Sequence, residues 1–166
     1  MKAKPLPRPP LRGKKTWNEK LDDAKDLPKV VQVGGRLAKR WGEGTCAIPA
    51  PREVDTLMRR VPPGKVTTID QLRAAIARKH QATFGCPITT GIFSWMAAHA
   101  ADEAAAAGQR DITPYWRTLK AKGELNPKYP GGIIGLAKRL KAEGHIIFQK
   151  GKRYFVQDHE KALARL

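Results

Sequence analysis

Successive stretches in the middle of this chain repeat apolar residues at helical spacing, each opened or closed by proline or glycine. The pattern leaves little room for anything but a helical core. In "PREVDTLMRRVPPGK" Val54, Leu57, Met58 and Val61 fall at i, i+3, i+4 and i+7, one face of a helix. Pro51 suits the first turn, where its missing N–H costs nothing. Pro62, Pro63 and Gly64 end the run. "TTIDQLRAAIARKH" then opens with Thr68 and Gln71 in a capping-box pattern. Ile69, Leu72 and Ile76 share a face, flanked by Arg73, Arg78 and Lys79. Pro87 opens a third helix with Ile88, Ile92, Trp95, Met96 and His99 on or near one stripe. His99 in such a place is expected to be a packed histidine. Thr89, Thr90 and Ser94, with Gly91, fall on the opposite side. Small hydroxyl-bearing residues there are expected to let the helix approach a phosphate chain.

The second and third of these helices, joined by a long connection at residues 80–86, suggest an open helix-turn-helix. A last helix carries Ile133, Leu136, Ala137 and Leu140, and Gly144 is its expected stop. "HIIFQKGKRYFV" reads as a hairpin of residues 145–148 and 154–156, turning around Lys150-Gly151-Lys152. Its basic tip fits the wing of a winged-helix domain that lies on DNA. It fits equally an edge hairpin that lysines protect from aggregation. "DHEKALARL" is expected to be a short terminal helix. The expected fold is therefore mainly α with a small C-terminal β-hairpin, a winged-helix-like helix-turn-helix domain over residues 46–166. Residues 1–45 are expected to form a basic, proline- and lysine-rich arm, partly disordered. Within residues 1–29 Trp17 stands out as a side chain that calls for a docking place, and "KVVQV" reads as a short strand.

Charge narrows the partners. The formal net charge is +17. Such an excess repels itself and attracts polyanions. Nucleic acid is the first candidate, an anionic membrane surface the second, and a merely soluble basic protein the plain alternative. No apolar run approaches the ~20 residues of a membrane span, and "MKAKPLPRPPLRGKK" lacks the apolar stretch of a signal peptide. A cytoplasmic place is expected. Cys46 and Cys86 lie far apart, and no histidine shares a ligand spacing with them. Both read as small buried hydrophobes, and no metal or cofactor is expected.

No catalytic constellation is visible. No serine or cysteine stands beside a base, which leaves Glu124 and Glu143 as candidate acids. "DITPYWRTL" sets Tyr115, Trp116 and Arg117 side by side in a loop, a surface suited to something flat. Gly131 and Gly132, just before the last helix and beside Lys128, are placed to aim backbone N–H groups at a phosphate; a simple turn is the commoner meaning.

Taken in order, "VPPGKVTTIDQLRAA", "PITTGIFSWMAAH", "PYWRTLKAKGELNPKYPGG" and "LAKRLKAEGH" resemble the DNA-binding domain of alkylguanine–DNA alkyltransferases, over residues 52–145. That family carries Pro-Cys-His-Arg where this chain has Pro114, Tyr115, Trp116 and Arg117. Neither aromatic can perform thiolate chemistry. The resemblance thus implies no alkyl transfer and points to the alkyltransferase-like proteins, which bind alkylated guanine and mark it for nucleotide excision repair. It implies a lesion pocket of Tyr115, Trp116, Arg117, Tyr129 and Glu143. Ile69 and Thr90 stand where the family keeps its base-flipping tyrosine and arginine, so the pocket wall is retained without those tools. The expected DNA contacts are Thr68, Ile69, Arg73, Thr89, Thr90, Ser94, Lys128, Gly131, Gly132, Lys150, Lys152 and Arg153.

The expected function is non-catalytic recognition of double-stranded DNA that carries alkylated guanine or is otherwise damaged, flagging it for repair. The expected state is a monomer on the nucleoid, with nucleotide excision repair proteins as partners and no membrane. The alternatives are a DNA glycosylase or lyase using Glu143 or Glu124, and a nucleoid or regulatory duplex binder that flips no base.

Overall fold

The computed structural model describes residues 13–166. They form six α-helices and seven short strands, a mixed α/β arrangement rather than a mainly α one. The chain opens with α1 (Trp17–Asp22), whose start is closed by a full capping box: Thr16 Oγ1 accepts from Glu19 N, and Glu19 accepts from Thr16 N at 2.7 Å. β1 (Lys29–Val33) and β2 (Gly44–Ile48) pair antiparallel, with Lys29 opposite Ile48, around α2 (Gly35–Trp41). Trp17–Asp22, Lys29–Val33, Gly35–Trp41 and Gly44–Ile48 are thus helices and strands. The expectation of a partly disordered arm is corrected over this part; residues 1–12 lie outside the described residues. The physical reason is Trp17. Its ring stacks on His99 with centroids 4.7 Å apart and meets the edge of Trp95 at 4.9 Å. Glu103 then accepts from the N–H groups of Trp17 (3.0 Å) and Asn18 (3.3 Å), a carboxylate set against a helix start.

The helices read from the sequence follow as α3 (Pro51–Arg59), β3 (Thr67–Thr68) leading into α4 (Ile69–His80), then β4 (Phe84–Gly85) and α5 (Pro87–Ala106). Thr68 caps α4 by accepting from Gln71 N. The reciprocal half of the box is absent, because Gln71 Oε1 accepts from Thr67 Oγ1 at 2.9 Å instead. β4 joins the first sheet parallel to β2, and it runs so close to α4 that Gly85 is required. A Cβ at that position would lie 2.5 Å from the Arg73 carbonyl oxygen. β5 (Thr118–Leu119) pairs parallel with β3. α6 (Gly132–Ala142) ends before Gly144, which takes the left-handed conformation (φ 91°) expected of a helix stop. β6 (Ile147–Lys150) and β7 (Arg153–Val156) form the hairpin with a two-residue turn at Gly151 and Lys152, slightly tighter than the sequence suggested. "DHEKALARL" supplies one 3₁₀ turn, His159–Ala162, and then a strap: Val66 N donates to Ala162 O and Ala164 N to Val66 O, both at 2.9 Å.

The main core lies between α3, α4 and α5, with Val54, Met58, Leu72, Ile76 and Ala97 fully buried. Here the expected facing of α5 is reversed. Thr90 and Ser94 have no exposed surface, whereas Ile88 and Ile92 are 54% and 47% exposed. α5 turns its small residues inward because Ala97, Ala98 and Ala101 let α3 and α1 approach closely. The buried hydroxyls do no harm, since each bonds back one turn: Thr90 Oγ1 to Cys86 O (2.6 Å) and Ser94 Oγ to Thr90 O (2.8 Å). Cys46 and Cys86 pack with Val33 in a smaller second core, buried as expected.

Candidate nucleic-acid interface

The loop before α6 is fixed to α3 by a buried contact, Thr113 Oγ1 to Asp55 Oδ1 at 2.5 Å. One 3₁₀ turn, Tyr115–Arg117, follows and brings the five expected pocket residues together. Tyr115 meets Trp116 edge-on at 5.5 Å and Tyr129 at 6.1 Å. Trp116 Nε1 donates to Glu143 Oε1 at 3.1 Å, and Arg117 binds the same carboxylate through Nε (3.0 Å) and Nη2 (2.6 Å). Arg117 Nη1 also donates to Val61 O at 2.7 Å. Arg139 lies over the Trp116 ring at 4.3 Å, a cation–π contact.

The five expected pocket residues are in mutual contact, with the two tyrosines buried and Trp116 and Arg117 half-buried. Tyr115 and Tyr129 are each 3% exposed, while Trp116 and Arg117 line a small cavity of about 280 Å³ with Arg59, Arg110 and Pro114. Burial pushes both phenols above the ordinary tyrosine range. Burial also pushes the Glu143 carboxyl up, but the bonds from Arg117 and Trp116 outweigh it and leave its pKa below the usual carboxylate range. Glu143 is therefore an ionised, fully partnered group and poor as a general acid. Glu124, the other candidate acid, is buried between Lys120 (3.3 Å) and Arg153 (3.5 Å). Thiol chemistry fares no better. Both cysteines sit in the second core, and burial, then the neighbouring Cys86, push the Cys46 thiol to about 11, far from thiolate at neutral pH.

A larger concavity lies elsewhere. It is a groove of about 860 Å³ between the start of α4, the exposed face of α5 and the loop before α6. Ile69, Ile88, Ile92 and Trp95 give it an apolar floor; Arg73, Lys120 and Lys128 stand at its rim, with Asp70 and His99. The floor continues into the aromatic cluster through a polar seam, for the buried Tyr129 hydroxyl lies beside Ser94 and Asn126, and Asn126 lines the groove. Arg73 is partly engaged, bonding Gly85 O (3.0 Å) and Asp70 (3.2 Å).

The expected contact residues divide sharply. Ile69, Arg73 and Lys128 line the groove. Thr68 is a buried cap, and Thr90 and Ser94 are core residues, so none of these three faces a ligand. Thr89 is half-buried, with a hydroxyl that finds no partner. Gly131 takes φ 82° at the start of α6, and the Gly132 N–H already donates to Tyr129 O at 3.0 Å; that pair is chiefly a turn. Lys150, Lys152 and Arg153 are exposed on the hairpin. Sequence reasoning missed Ile88, Ile92, Trp95 and Lys120. The signal for the first three was present as the helical stripe, which was assigned to the wrong side.

No protein-family profile matches the chain, and no curated protein does. Among solved structures it is similar to S. pombe Atl1 in complex with damaged DNA containing O6-carboxymethylguanine, at 19% identity and a TM-score of 0.47. It is similar also to S. pombe ATL in complex with DNA, at 19% identity and a TM-score of 0.48. Each match covers 70% of this chain and 94% of the other.

Proposed function

We propose that this chain is a non-catalytic DNA-binding protein of the alkyltransferase-like kind, which recognises duplex DNA bearing an alkylated or otherwise damaged guanine and marks it for repair. The observation that carries the reading is the groove. An apolar floor on α5 receives a flat base, and cations at the rim meet the phosphates on either side. The hairpin tip, acting as a wing, extends the phosphate contacts. A monomer on the nucleoid, met there by nucleotide excision repair proteins, goes with this function.

The two acids named for the glycosylase alternative, Glu143 and Glu124, are both held in ion pairs. The alternative of a duplex binder that flips no base keeps one observation in its favour, the closed Tyr115–Tyr129 contact. A fluorescence-anisotropy titration of matched duplexes, with and without O6-alkylguanine, at two salt concentrations separates the readings. We expect tighter binding to the lesion duplex, and for both duplexes a fall of at least about tenfold as salt rises from ~50 to ~200 mM. Equal affinity for the two duplexes would replace lesion recognition by general duplex binding. A flat salt response would remove the nucleic-acid reading altogether.

A further inference from the structure

A second apolar surface is unused by the DNA reading. On α6, Ile134, Ala137, Lys138 and Lys141 fall at i, i+3, i+4 and i+7, one outward face, while Leu136 and Leu140 hold the opposite face in the core. The hairpin stands beside that face and contributes Phe148 and Tyr154. Between them lies a groove of about 640 Å³, room for several side chains of a partner. Its apolar walls are open to solvent: Ile134 is 86% exposed and Phe148 is 43% exposed. Phe148 is held in place by stacking on Phe155, with centroids 5.4 Å apart and planes within 18°. Ile146, 62% exposed, extends the apolar surface next to the groove. Large aliphatic and aromatic side chains gathered on an exposed face mark an interaction site rather than chance.

Charge decides what covers it. The groove is flanked by Lys138 and Lys141, and no acidic residue lines it. A second copy of the chain would bring the same lysines, and another +17 of net charge, against these. A DNA backbone supplies anions but no apolar surface to fill the walls. We infer that the groove between α6 and the hairpin docks an acidic amphipathic helix of a protein partner. Its apolar side chains would enter at i, i+3, i+4 and i+7 spacing, and its carboxylates would face Lys138 and Lys141. The site is separate from the α4–α5 groove, so the inference stands independently of lesion recognition.

The test uses the full chain and two fluorescein-labelled synthetic peptides of about five helical turns. One carries leucine at that spacing with glutamate elsewhere; the other has lysine in place of every glutamate. The acidic peptide is expected to bind and the lysine peptide not to. Ile134→Asp is expected to weaken the acidic peptide at least about tenfold, as loss of a central apolar anchor does. The same variant is expected to leave DNA affinity and the thermal midpoint unchanged, because Ile134 is almost wholly in solvent. Lys138→Glu combined with Lys141→Glu is expected to weaken the peptide as well, and more so at low salt. The inference is overturned if the acidic peptide does not bind, or if the lysine peptide binds equally. It is also overturned if Ile134→Asp leaves peptide binding intact, or weakens DNA instead and so makes the face part of the nucleic-acid surface.

Discussion

Arg117 gives its guanidinium donors to Glu143 and to the Val61 carbonyl. Removing it strands a largely buried carboxylate, so Arg117→Ala is expected to destabilise the fold by about 2–4 kcal/mol in a urea titration. Arg117→Lys should recover little, because a single ammonium cannot reproduce the fork that reaches both partners. The same cluster sets an acid limit. The Glu143 pKa is depressed in the fold, so its contribution to stability is complete above the unfolded carboxylate value of ~4.3 and is lost as pH falls through the folded value. Burial depresses His145 as well, with Glu143 opposing and Arg117 adding. Its neutral form is favoured in the fold, so its contribution is complete above ~6.5 and declines below that. Both groups act in one direction: denaturant midpoints should fall from pH 7 to pH 4, and His145→Gln should flatten the upper part of that fall. The residue identities of the cluster were legible from the "PYWR", "KYPGG" and "EGH" strings through the family resemblance. The burial of its two tyrosines was not, because it depends on ring placement that no spacing rule encodes.

Among the elements, α5 is the most instructive. Its start at Pro87, like the starts of α3 at Pro51 and α4 after Thr68, was legible because proline and cap residues act locally. Which face it buries was not. Periodicity reports that two faces differ, while the choice between them is made by packing against α1 and α3. The alanines on the far side permit close approach there, and the back-bonded hydroxyls of Thr90 and Ser94 remove the penalty of burying them. Two substitutions test the assignment. Thr90→Arg, which would look like restoring a DNA-probing arginine, is expected instead to lower the thermal midpoint by several degrees, since it forces a long charged side chain into the core. Ile92→Asp is expected to stay within about 0.5 kcal/mol of the parent in stability. In an anisotropy titration the same substitution should weaken DNA binding by about tenfold, as a carboxylate in a groove meant for anions and bases does. If Thr90→Arg melts like the parent, the facing of α5 proposed by its hydroxyl bonds is wrong.

At the scale of the molecule, the chain segments outside residues 52–145 close the domain. Trp17 on one side is fastened to α5, and the strap at residues 162–164 on the other is fastened to Val66 just before α4. Trp17→Ala should therefore remove about 2 kcal/mol of stability, less than for a fully buried tryptophan. A fragment of residues 52–145, the span legible through family resemblance, should show no cooperative thermal transition by circular dichroism. The sequence could not reveal this, because a basic, proline-rich segment looks disordered until Trp17 meets a histidine far along the chain. Those fastenings also govern the order in which the protein can form. Trp17 bonds to a residue 86 positions later, and the Arg78 guanidinium to a carbonyl 88 positions later. α4 precedes in the chain the strap that secures it through Val66 and Arg78. Despite its helices, the chain should therefore fold more slowly than a domain held by local helical contacts alone, as a stopped-flow refolding trace would show.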